Sequence, residues 1–350
     1  MSPQTNGPAA ASASAEFNLV CGSGGSRAIL GSSGAILACH LAGISNWRTL
    51  GGASGGSIPT ALLAAGVHPT KIVHLTIELD FASLLTKHAT LLQIFIANFL
   101  KDAYEMSRPA RGVMGSEKLG KFIENFAPVW PKTYWTVAAA GRSQLLFTAE
   151  GVFEYNTDGM RQISREPAPL GLAVRASCAV PGMIDAVRFG ERLLFDGALS
   201  IDGRCPIGVV KRNLKQAPET IIACDVGEDE TRSARVMRRF WKVVCGSGCL
   251  REAEGPLPRQ ADGVVLIKPA PMKFRSLKFT LSRDQKWAAV MAGFIGAVEQ
   301  LEKKALLKGD SLAKAREICR SFREIHSARR RKKGQLANRM ESLLKSHGLY

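Results

Sequence analysis

Trp47-Arg48-Thr49-Leu50 is an extended segment that runs into Gly51-Gly52-Ala53-Ser54-Gly55-Gly56, and Ile58 to Ala65 then reads as a helix stopped by Gly66. The same order occurs just upstream. Phe17 to Cys21 is a short apolar strand, Gly22-Ser23-Gly24-Gly25-Ser26-Arg27 a glycine turn, and Ala35 to Leu41 a helical run ended by Gly43. A strand, a glycine turn and a helix, repeated at once, is the pattern of an α/β fold built on a parallel sheet.

Downstream, Val67 to about Trp130 reads as mostly helical. Within it, Leu84 to Leu100 is rich in Leu, Ile and Phe, which suits core packing or an interfacial, lid-like helix. Strand signals return at Tyr134 to Ala140 and Gln144 to Ala149, then at Val152 to Tyr155 and Met160 to Ile163 around Asp158-Gly159. Leu172 to Cys178 precedes Pro181-Gly182, and Val187-Arg188-Phe189 pairs with Arg192 to Phe195 across Gly190-Glu191. Thr220 to Cys224 and Gly263 to Lys268 are late strands, Gln285 to Leu307 a long helix, and a polar helical tail with Arg329-Arg330-Arg331-Lys332-Lys333 follows.

The 350 residues are 46% hydrophobic and 22% charged, an ordinary globular composition that excludes wholesale disorder. The net charge of +17 is unevenly placed. Met1 to Thr231 holds 20 basic and 20 acidic residues, whereas Arg232 to Tyr350 holds 27 basic and 10 acidic. That asymmetry suggests a basic appendage that meets an anionic surface; a solvated basic helix without a partner is the plainer reading. Trp287 to Val298, the longest uncharged apolar run, is short of the ~20 residues that cross a bilayer. Residues 1–16 lack the basic and apolar regions of a secretory signal and read as a disordered leader. The eight cysteines are expected reduced and buried. Cys245 and Cys249 have no second pair at zinc spacing, so no metal site is expected.

Gly52-Ala53-Ser54-Gly55-Gly56 has the form G-x-S-x-G, in which a sharp strand-to-helix turn presents a serine nucleophile at the N-terminus of a helix. The pattern is common in a Gly- and Ser-rich chain, and its flanking strand and helix are what give it weight. A serine nucleophile needs a base. Of the six histidines only His326 and His347 follow every strand-end carboxylate, and both lie in the basic tail, which argues against a Ser–His–Asp triad. A carboxylate acting directly as base remains, with a pKa raised by burial. Four Asp-Gly pairs compete. Asp158 and Asp262 read as turn residues. Asp196 ends the strand Arg192-Leu193-Leu194-Phe195 and is expected at a sheet's carboxyl edge, where ligand sites gather, with Asp202 in reserve. The glycine turn Gly22–Arg27 completes neither G-x-G-x-x-G nor a P-loop, which disfavours nucleotide binding. Its backbone amides suit an oxyanion hole, or the segment is simply a tight turn.

Together these pieces resemble the patatin-like phospholipase family. Ser23-Gly24-Gly25-Ser26-Arg27-Ala28 is similar to that family's glycine-rich oxyanion loop, Gly52–Gly56 to its nucleophile turn, and Asp196-Gly197-Ala198 to its distant D-G-G/A motif. Arg175–Gly182 resembles the segment that precedes the family's Asp strand. The resemblance spans about Phe17 to Asp225, more loosely to Leu307. It implies a patatin-like three-layer sandwich: a mostly parallel central sheet flanked by helices, here with a helical basic C-terminal extension. It further implies that Ser54 attacks an ester carbonyl while Asp196 takes its proton, and that the amides of Gly24, Gly25 and Ser26 hold the oxyanion. Arg27 braces the loop or faces a lipid phosphate, and no metal or cofactor is required. The loop departs from the family pattern at Ser23 and Ala28; an alanine there is harmless only at negative φ.

The expectation is thus a serine lipid acyl hydrolase of phospholipid or other acyl esters, working through an acyl-Ser54 intermediate. Its domains are a leader (1–16), a catalytic domain (17–307) and a basic helical tail (308–350). An intracellular place and a peripheral anionic membrane surface are expected with it. A catalytically weak protein of the same fold that binds anionic membranes is the alternative. Nucleic acid ranks last, for want of any nucleic-acid-binding motif beside the basic run.

Overall fold

The structure, a computed structural model, describes residues 15–90, 112–156, 159–227, 261–327 and 335–350. In chain order these form β1 (Phe17–Cys21), α1 (Gly25–Leu41), β2 (Trp47–Gly52), α2 (Ser57–Ala64) and α3 (Pro69–Glu78). The two-residue strands β3 (Thr86–Lys87) and β4 (Met114–Gly115) come next, then α4 (Glu117–Phe126). The strands β5 (Tyr134–Ala140), β6 (Ser143–Thr148), β7 (Gly151–Asn156) and β8 (Gly159–Ser164) lead into α5 (Leu170–Ser177). The hairpin β9 (Val187–Phe189) and β10 (Arg192–Leu194) precedes β11 (Ile221–Cys224) and β12 (Val265–Ile267). Three helices close the chain: α6 (Arg283–Lys303), α7 (Gly309–Ser327) and α8 (Gln335–Ser346).

Eight strands make one sheet in the order β12-β11-β1-β2-β5-β6-β7-β8. β12, β11, β1, β2 and β5 are parallel, and β6, β7 and β8 continue the sheet antiparallel. The parallel strands read as unbroken apolar runs because both faces are covered. Along β1, Leu19 and Cys21 face the layer of α1, α2, α3 and α6, and Val20 faces the opposite side. There it packs with Cys205, Ile207, Val209 and Val210.

α1 begins at Gly25, ten residues before the helix expected at Ala35. Gly31-Ser32-Ser33-Gly34 is a poor helix former taken alone. Its use is contact: a Cβ on Gly34 would strike the carbonyl of Val290, and one on Gly293 would strike that of Gly31. α1 and α6 therefore cross backbone to backbone, and the crossing fixes where the N-terminus of α1 lies.

Leu172 to Ser177 belongs to the helix α5, with Cys178 capping its end, rather than to the strand-rich pattern around it. Ahead of it, α3 and α4 fit the helical reading of Val67 to Trp130, while Phe81–Leu84 is a 3₁₀ turn. The expected helix Leu84–Leu100 lies largely outside the described residues, as do the Asp158 turn, Cys245, Cys249 and the run Arg329–Lys333. The six described cysteines are free and buried.

Leu307 does not mark a break in packing. Ala315, Ile318 and Phe322 of α7 and Leu336, Met340 and Leu344 of α8 are buried in the same core as α1 and α6. Trp287 of α6 donates to Glu341 of α8 at 3.1 Å, and the C-terminal Tyr350 meets Trp287 and His74 edge to face. Among the described residues no helix is long and apolar enough to cross a membrane.

Candidate active site

β2 ends at Gly52, and the chain must turn at once into α2. Ala53 is extended, and Ser54 adopts φ 53°, a left-handed conformation that costs a serine roughly 1–2 kcal/mol. The strain persists because the surroundings over-determine it. The Ser54 N–H donates to the Ser177 hydroxyl at 2.9 Å, and the Ser54 carbonyl accepts from Ser57 Oγ at 2.6 Å. Thr136 Oγ1 lies 2.9 Å from the Gly52 carbonyl and 3.0 Å from Ser177 Oγ, joining β5 to both sides of the turn. The neighbours are glycines for want of space. A Cβ on Gly55 would meet the Gly25 carbonyl, and one on Gly56 the carbonyls of Cys21 and Gly22.

Asp196 reaches Ser54 by a route different from the one its sequence suggests. β10 belongs to a separate two-stranded sheet with β9, so Asp196 does not end a strand of the main sheet, although it lies beside the carboxyl end of β2. The hairpin instead docks on β5 through paired 2.9 Å hydrogen bonds between Phe195 and Ala139, and the Asp196 N–H donates to Ala179. Gly197 then lies over the turn, where a Cβ would press on the Val137 carbonyl and on Ala53. This explains why a glycine follows the aspartate.

The Asp196 carboxyl is buried. Its Oδ1 accepts the Ala198 N–H at 2.9 Å, while Oδ2 has no hydrogen bond of full geometry. Burial pushes its pKa up to about 6; the nearby Ser54 hydroxyl and the Ala198 amide hold it from rising further. The Ser54 hydroxyl is thus close enough to act on the carboxylate without making a tight bond to it, as is usual before substrate closes a site. The reserve candidate is otherwise engaged: Asp202 is buried between Gln144, at 2.7 Å, and Arg212, at 2.6 Å. Asp262 lies in an exposed turn.

The glycine loop brings a second helix N-terminus to the same place. Gly25 has φ 53°, and a Cβ there would strike the carbonyl of Ser276. Among the described residues, no hydrogen bond takes up the amides of Gly24 and Gly25. Ser26 differs from the expectation: its N–H donates to Ser276 at 2.9 Å, and its Oγ reaches the carbonyls of Ser276 and Lys278. Arg27 donates to the carbonyls of Met272, at 3.0 Å, and Phe274, with its guanidinium over the Phe274 ring. Ala28 stands in the first turn of α1 with no positive φ, so alanine fits where the family pattern has glycine.

Beside Ser54 opens a cavity whose wall is almost wholly apolar: Ile58, Phe81, Leu84, Ile184, Leu277 and Phe279 contribute to it. It holds about 450 Å³, open solvent at its mouth included. It is a narrow slot with Ser54 at its wall. Among the described residues no group of acidic, Cys and His side chains is arranged to hold a metal ion.

Neither Ser177 nor the 272–279 segment carries a local sequence signal of its place at the site. Ser177 lies inside the quoted stretch Arg175–Gly182, but nothing local says that it faces Ser54. Residues 272–279 follow the catalytic motifs by so many residues that only the folded chain shows their place.

The chain matches the family described as patatin-like phospholipase over residues 19–209, a span that includes the Gly22–Arg27 loop, Ser54 and Asp196 and exceeds half of its length. A search of curated proteins finds no match. The protein belongs to the patatin-like phospholipase family.

Proposed function

We propose that the protein is a serine lipid acyl hydrolase that works through a Ser54–Asp196 dyad. The observation that carries this reading is the pairing of a strained serine with a buried carboxylate whose Oδ2 is free of other partners. Ser54 Oγ attacks the ester carbonyl, and its proton passes to Asp196. The carbonyl oxygen gains negative charge between the free amides of Gly24 and Gly25, at the N-terminus of α1. Such donors contribute roughly 3 kcal/mol each to stabilising the transition state. The tetrahedral adduct collapses, the C–O ester bond breaks, and the leaving alcohol takes the proton from Asp196. Water, deprotonated by the same carboxylate, then attacks the acyl-Ser54 ester and releases the fatty acid.

The apolar slot favours an acyl chain over a polar substrate, because burying polar groups there without partners is costly. We assign residues 17–307 to the catalytic unit and read α7 and α8 as packed against it. The alternative of a weakened, purely surface-binding protein has less support: Ala28 is unstrained and Ser23 donates normally, to Arg204 at 2.6 Å. A panel of phospholipids, lysophospholipids and neutral acylglycerols offered to wild type and Ser54→Ala tests the reading. Release of fatty acid by wild type alone supports it. Equal release by both overturns the dyad, and no release from any lipid by a folded wild type that binds anionic vesicles favours the alternative.

A further inference from the structure

Residues 271–281 lie beyond the span that matches the family and still close one side of the site. Arg27 and Ser26 of the oxyanion loop hold the carbonyls of Met272, Phe274, Ser276 and Lys278. The strap so pinned has two unlike sides. Met272 is buried, Phe274 half-buried, and Leu277 and Phe279 line the slot beside Ser54. Lys273, Arg275 and Lys278 point outward and are exposed. From Gly263 to Arg283 there is no acidic residue. No ion-pair partner meets any of the three outward cations among the described residues.

We propose that this strap is the surface that seats the mouth of the slot on an anionic lipid bilayer. Lys273, Arg275 and Lys278 meet phosphate-bearing head groups, while Leu277 and Phe279 lead an acyl chain inward. The charge argument is specific. A cation already paired within the protein gives little to a membrane, whereas three unpaired ones on six residues put positive charge along the strap that also lines the slot. The fate of the lipid rests on the acyl-hydrolase reading; the docking itself needs no turnover.

The test uses the full chain and vesicles of phosphatidylcholine with and without phosphatidylglycerol. Lys273→Gln, Arg275→Gln and Lys278→Gln are combined in one variant. Lys304→Gln, Arg320→Gln and Arg339→Gln, which remove the same charge from exposed positions just past the end of α6 and on α7 and α8, are combined in another. The strap variant is expected to lose on the order of 100-fold in affinity for the anionic vesicles. The control variant loses a few-fold at most. Equal losses, or equal binding of wild type to vesicles with and without phosphatidylglycerol, overturn the proposal. A reading free of substitutions comes from acetylation footprinting of wild type: anionic vesicles should protect Lys273 and Lys278 and leave Lys304 reactive. Protection of Lys304 alone places the docking surface on the C-terminal helices instead. Because binding is read apart from hydrolysis, a chain that docks as described but cleaves no ester refutes the hydrolase reading and leaves the strap assignment standing.

Discussion

The N–H of Ser54 donates to the Oγ of Ser177 at 2.9 Å, across 123 residues of sequence. The bond ties the strained turn at Ser54 to the end of α5, and through Thr136 to β5. Ser177→Ala leaves a buried N–H without a partner, at a cost of about 1–3 kcal/mol in stability. If Ser177 positions Ser54, kcat for a soluble short-chain ester falls on the order of 10–100-fold with KM little changed. Steady-state kinetics beside urea denaturation separates the effects. A lower stability with unchanged kcat would make Ser177 merely structural.

Asp196 predicts the pH dependence. Its pKa is raised from 3.8 to about 6 by burial, so the basic form accumulates as pH rises through about 6. Turnover of a soluble ester is expected to climb through that range and level off above it. A profile that is flat across it contradicts Asp196 as the base.

The same shift carries a stability cost of opposite sense to that of a salt-bridged carboxylate. Folding favours the protonated acid, so the cost is absent below about pH 4, grows between about 4 and 6, and is full above. Asp196→Asn removes it. The variant is expected to be inactive yet more stable than wild type by about 1–3 kcal/mol above pH ~7, a gain that disappears near pH ~4. Denaturation midpoints at the two pH values check it.

Ser54 stores backbone strain in the same way. Ser54→Gly, free to adopt φ 53°, should be more stable than Ser54→Ala by about 1 kcal/mol, with both inactive. Equal stabilities would mean that the turn relaxes around the alanine.

Deleting Gly309 to Tyr350 tests how the C-terminal helices are joined. Buried apolar side chains on α7 and α8 each contribute about 1.5–3 kcal/mol to the common core. The truncated chain is therefore expected to lose cooperative thermal unfolding along with soluble-ester turnover. A truncated chain that unfolds cooperatively and keeps its turnover would instead show an appendage.

Much of this arrangement is legible in the residues. β1 spans Phe17–Cys21 as read, β5 spans Tyr134–Ala140, and the turn at Ser54 follows from glycines flanked by a strand and a helix. These are local signals of periodicity and turn chemistry. What escapes is what depends on distant contact. The helical state of Gly31–Gly34 is decided by Val290 and Gly293, and that of Leu172–Ser177 by packing against the sheet. The polarity of α7 and α8 suggests a free tail because their apolar stripes are narrow. Ser26 looks like an oxyanion donor until Ser276, 250 residues on, takes its N–H and its hydroxyl.

The central claim is that Ser54 is a nucleophile activated by Asp196. Its most direct measurement is intact-protein mass spectrometry with peptide mapping after exposure to a fluorophosphonate. A single adduct on Ser54 of wild type, none on Ser54→Ala and much slower labelling of Asp196→Asn is the predicted result. Equal labelling of wild type and Ser54→Ala, or an adduct mapped to another residue, would contradict it.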